Sequence, residues 1–81
     1  MMERRTELRR HTNIRGLARY GASSYEKPCT VSDLSRSGAG LTFASTFGVP
    51  RQFQLLIDGE TSARYCRVVW EDGKRLGVQF E

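Results

Sequence analysis

Two short groups of residues in this 81-residue chain have the types and spacing to do chemistry. The first is Arg5-x-x-x-Arg9, inside a basic run that also holds Arg4 and Arg10. A four-residue spacing lets two guanidinium groups converge on one site in a turn or a short helical stretch. Each planar fork can meet a phosphate through two hydrogen bonds, meet the O6 and N7 acceptors of guanine, or stack on a purine face. The second group is Asp33-x-Ser35-x-x-Gly38, a polar turn between two apolar runs. A carboxylate accepts from the N1 and N2 donors of guanine, a hydroxyl can add a contact to the exocyclic amine, and a glycine lets a flat base approach the main chain. Each group has a plainer reading as well. The arginines could be a solvated basic tail, and Asp33 and Ser35 could simply bond their own backbone as Asx- and ST-turns do. Taken together, the two groups supply complementary halves of a guanine-nucleotide site.

The elements that must position them read as short strands. Residues 1–12 carry few apolar side chains and form a flexible basic arm, followed by a barrel over residues 13–81. Within 13–20, Ile14, Gly16, Ala18 and Tyr20 alternate against Arg15, Leu17 and Arg19, the period of a strand. A loop is expected over 21–28. Strands follow over 29–35 and 39–44, joined by Arg36, Ser37 and Gly38, with Gly38 suited to a positive φ. Another strand spans 52–57, and Asp58-Gly59 is the dipeptide a type I′ hairpin favours. The stretch 63–70 is β-branched and aromatic, Asp72-Gly73 gives a second hairpin signal, and 76–80 returns with Leu76, Val78 and Phe80 on one face. Six short strands without a helix predict an all-β fold, a six-stranded antiparallel barrel, because closure removes the unpaired edges. Trp70, Phe53, Tyr65 and Phe80 fall at strand positions and are expected in the core.

Composition narrows the functional classes. Hydrophobic residues at 38% and charged residues at 27% fit an ordinary folded domain. A chain this short buries only about 60–65% of its unfolded surface, too little for a large internal active site. No apolar run reaches the ~18 residues of a membrane span, and the basic N-terminus leads into no apolar signal segment, so the expected location is the cytoplasm. The net charge of +4 sits entirely in residues 1–20, where six Arg face Glu3 and Glu7; residues 21–81 balance. Such an arm attracts an anion. Cys29 and Cys66 lack neighbouring ligands at metal spacing and read as buried small hydrophobes, so no metal is expected. His11 has no nucleophile or metal partner nearby, and Glu71-Asp72 is a turn, not an acid–base pair. No catalytic constellation is visible, and the chain is not read as an enzyme.

The ordered pair Arg5-x-x-x-Arg9 and Asp33-x-Ser35-x-x-Gly38 resembles the signature of the PilZ domain, a bacterial cyclic di-GMP receptor family. Val68-Val69-Trp70 and Gly77-Val78-Gln79-Phe80 resemble its last strands, so the similarity covers nearly the whole chain. The resemblance implies that Arg5 and Arg9 grip phosphates and the guanine Hoogsteen edge, and that Asp33, Ser35 and Gly38 take the remaining edge. It implies a second-messenger receptor, with cyclic di-GMP as ligand and no cofactor. The arm would fold over the ligand to regulate an unknown downstream protein, in motility, exopolysaccharide or virulence processes. A basic residue at Arg4 accompanies, in such domains, two stacked ligand molecules; Arg10 adds charge. The C-terminal helix common in the family has no counterpart here, and a homodimer is compatible with that and with a two-fold symmetric ligand. Two alternatives stand beside this reading. One is a small nucleic-acid-binding barrel, disfavoured because the barrel portion is neutral and its aromatics are expected to alternate inward. The other is a ligand-free protein-interaction adaptor.

Overall fold

A computed structural model of the chain describes residues 8–81; Arg4 and Arg5 lie outside the described residues. Six strands make up the fold: β1 (Arg10–Tyr20), β2 (Tyr25–Leu34), β3 (Gly38–Thr42), β4 (Gln52–Ile57), β5 (Arg64–Glu71) and β6 (Arg75–Phe80). All pairings are antiparallel, and the sheet closes on itself in the order β1-β2-β3-β6-β5-β4. The expected six-stranded barrel is therefore the observed one.

Alternation builds the core. Ala18 from β1, Cys29 and Val31 from β2, Ala39 and Leu41 from β3 all point inward and are buried. Phe53, Leu55 and Ile57 from β4, Cys66 and Val68 from β5, and Leu76 and Val78 from β6 complete the filling, with Phe43 just beyond β3. Phe53 is buried and Phe80 half-buried as expected, but Tyr65 and Trp70 point outward, 59% and 47% exposed.

The strand ends differ from the periodicity in ways the hydrogen bonds explain. β1 begins at Arg10, so Arg10, His11 and Thr12 belong to the sheet, with His11 opposite Asp33 and the Thr12 hydroxyl donating to the Val31 carbonyl at 2.6 Å. β2 begins at Tyr25, leaving only 21–24 as the turn, closed by Ser24 N–H to the Gly21 carbonyl at 3.1 Å. Between β4 and β5 the connection is six residues long, with the Glu60 N–H bonded to the Ile57 carbonyl. Gly59 alone has a positive φ there, 92°, which is the type II pattern; type I′ would need one at Asp58 too. In the last hairpin Asp72 N–H bonds the Arg75 carbonyl and Gly73 has φ 95°, a positive value at the first central position as in a type II′ turn.

Candidate ligand site at the β2–β3 turn

Two β-bulges decide what this site presents. On β2, Val31 pairs with Leu41 and Asp33 with Gly40, so Ser32 is one residue too many for β3. Strict alternation from the buried Val31 would turn Asp33 into the core. The extra residue turns it outward instead, a bulge re-aiming a side chain. On β5 the same thing happens: Val68 pairs with Val78 and Trp70 with Gly77, leaving Val69 as the inserted residue and turning Trp70 outward. Gly40 and Gly77 are themselves paired across β3 and β6. The outer surface thus carries one row, Asp33, Gly40, Gly77, Trp70, spanning three inter-strand spacings, roughly 14 Å.

Both glycines are required by what lies over them. A Cβ on Gly40 would run into the Asp33 carboxylate, and one on Gly77 into the Trp70 indole. Carboxylate and ring therefore lean inward from opposite ends over a floor without side chains. Ser32 also anchors the bulge, its hydroxyl 2.6 Å from that of Thr42. Arg75 holds the far end, its guanidinium 5.8 Å from the centre of the Trp70 ring.

The arm and the turn meet at one contact. Arg9 Nη1 donates to Asp33 Oδ1 at 2.9 Å, with the two side chains 53% and 30% exposed. An ion pair this open to solvent contributes about 0–1 kcal/mol, so it aligns the groups without locking them.

Ser35 and Gly38 serve the turn itself. The Ser35 N–H donates to the Gly38 carbonyl at 2.9 Å, the Gly38 N–H donates to Ser35 Oγ at 3.2 Å, and that hydroxyl donates back to the Gly38 carbonyl at 3.3 Å. This is the ST-turn reading, realised for Ser35 but not for Asp33. Gly38 is buried and does not have a positive φ. Glycine is needed there because a Cβ would strike the Val78 carbonyl of β6. It opens β3, paired with Gln79 of β6.

A sequence model described as the PilZ domain matches residues 3–81. The chain belongs to the PilZ domain family. No curated protein matches the sequence. PilZ domains form a family of cyclic di-GMP receptors, binding domains without catalytic chemistry, and this member keeps the β-barrel of that fold. Of the residues singled out from sequence, Arg9, Asp33, Ser35 and Gly38 come together at one end of the PilZ barrel. Arg10 opens β1 beside them, paired with Leu34, and is exposed. Gly40 and Gly77 are not singled out by the sequence reading, although a glycine at strand positions on two neighbouring strands marks a close approach, and Trp70, expected in the core, lies on the outer face instead. Among the described residues, no helix is long and apolar enough to cross a membrane.

The outward aromatics also remove one ground on which nucleic acid was disfavoured. The remaining ground is electrostatic. Arg64 is paired with Glu60 at 2.9 Å, Arg67 with Glu81 at 3.2 Å and Arg75 with Asp72 at 3.4 Å, so the arginines beside Tyr65 and Trp70 are already neutralised.

Proposed function

We propose that this PilZ domain is a cyclic di-GMP receptor that binds the ligand on the outer face of its barrel and relays binding to a downstream protein. The observation that carries the reading is the Arg9–Asp33 contact above the glycine floor. A guanine offers donors at N1 and N2 on its Watson–Crick edge to a carboxylate and acceptors at O6 and N7 on its Hoogsteen edge to a guanidinium, and here the carboxylate and guanidinium stand side by side. Ligand binding exchanges a contact worth about 0–1 kcal/mol for charge-assisted bonds to a base, each bidentate pair worth about 1–3 kcal/mol. Trp70 bounds the far side of the floor, within reach of a purine's face or edge. Ser35 and Gly38 act by holding the turn that carries Asp33, and Arg5, Arg4 and Arg10 supply further positive charge to the phosphates. Motility, exopolysaccharide synthesis and virulence are the kinds of process such a relay serves.

Isothermal titration with cyclic di-GMP, beside GTP and cyclic di-AMP, tests this directly. Selective binding of cyclic di-GMP is expected, weakened about tenfold to a hundredfold by Arg9→Ala or by Asp33→Ala. A stoichiometry of two ligands per chain would fit the role proposed for Arg4. Affinity that is unchanged in both variants, or absent for every nucleotide, overturns the reading and leaves the adaptor.

A further inference from the structure

The side of the barrel that faces away from the β2 strand carries a second surface. Counting round the closed sheet, β5 stands three strands from β2 in either direction. Its outward residues are Tyr65, Arg67, Val69 and Trp70, with Val69 52% exposed. Beside them lie Gln52 and Gln54 of β4 and Gln79 of β6, which pair with Arg67 and Tyr65 across the sheet. Arg67 is tied into a neutral network: its Nε bonds Glu81, its Nη2 donates to Gln79 Oε1 at 3.4 Å, and Gln52 donates to the same Glu81 at 3.4 Å. Aromatic residues and arginine at the centre with amides around them is the composition of a protein interface.

We infer that this β4-β5-β6 face is where two copies of the chain pair. Charge chooses the occupant. Among the described residues, Arg10 and Arg15 on β1 and Arg36 in the β2–β3 turn have no ion-pair partner, and they lie on the β1–β2 side of the barrel. A polyanionic or acidic partner is drawn there. On the β5 face the charges without an ion-pair partner are of both signs, Glu71 at the end of β5 and Arg51 and Lys74 in loops at its edge, so it offers such a partner little. Two copies meeting through it keep their basic sides apart, which matters for a chain of net charge +4. The face is also self-complementary. Its three glutamines each carry donors and an acceptor, so a two-fold axis can match them against themselves, as an isologous interface demands. The surface is small: eight residues of β5 across three strands give a footprint of about 26 by 14 Å, short of the ~800 Å² per partner of a standard interface. The dimer is therefore weak, dissociating in the micromolar to millimolar range. Trp70 also bounds the far side of the proposed ligand floor, so a ligand and a second copy would share that one side chain.

Sedimentation equilibrium of the 81-residue chain without ligand, across roughly two decades of concentration into the millimolar range, tests it. A monomer–dimer equilibrium is expected, weakened on the order of a hundredfold by Val69→Glu, which sets like charges against each other across the axis. Tyr65→Arg serves as a second variant should Val69→Glu lose its cooperative thermal transition. Phe47→Ser, at an apolar side chain 87% exposed in the loop before β4, is expected to leave the dimer intact. A chain monomeric throughout, which would give the face to a protein of another sequence, overturns the inference. So does a dimer that survives both β5 variants, or one lost with Phe47→Ser alone.

Discussion

At the scale of single residues, the site is defined as much by missing side chains as by present ones. Gly40 and Gly77 have no Cβ because a carboxylate and an indole occupy that space. Gly77→Ala is expected to push Trp70 off its floor and to cost about 1–3 kcal/mol by overpacking, read as a lower urea midpoint. Trp70 is the only tryptophan, so its emission should shift to the red as the ring moves into water. Gly40→Ala disturbs Asp33 in the same way and is expected to weaken cyclic di-GMP binding in titration while leaving the emission unchanged. Asp33 and Arg9 were legible in the sequence because their chemistry is carried by residue type and spacing. Gly38 was recognised too, but for the wrong reason, since the pressure on it comes from a strand 40 residues away in sequence.

At the scale of elements, strand existence was legible and strand phase was not. The periods of β1, β4 and β6 show directly which face is buried. Nothing in the sequence marks Ser32 or Val69 as inserted residues, because both are ordinary in strands and a bulge is defined only by the partner's register. That is why Trp70 was expected in the core. The hairpin turns carry a pH dependence. Glu60 is held below the ordinary carboxylate range, chiefly by its hydrogen bonds with Arg64, and Asp72 by the N–H groups of Arg75 and Lys74. A carboxylate whose folded pKa is depressed adds stability above its unfolded value and loses it as pH falls through the folded one. Urea unfolding should therefore show stability falling from the ordinary carboxylate range downward, with a shallower fall in Glu60→Gln and Asp72→Asn. An unchanged acid slope in both variants would move that dependence to other groups.

At the scale of the whole molecule, closure puts both cysteines inside one shared core. Burial pushes the Cys29 thiol up to about 11 and the Cys66 thiol up to about 12, so neither is a nucleophile near neutrality. Alkylation at about pH 8 should be negligible in the native protein and should rise together with the loss of β-sheet ellipticity on denaturation. Fast labelling well below the denaturation midpoint would show that the barrel opens locally. Closure itself is uneven. β4 covers β1 only from Gly16 to Arg19, whereas β2 runs alongside it from Arg10 to Tyr20. Six residues, Arg10 to Arg15, precede the pairing with β4, and with the Arg15 carbonyl accepting from Asp58 N–H, the first five are, among the described residues, stitched along one margin only, like a flap sewn on one side. Arg9 sits at its free corner. A load applied there peels the hydrogen bonds to β2 one after another instead of shearing them together, so a ligand that grips Arg9 pulls on the end of β1 that is held from one side.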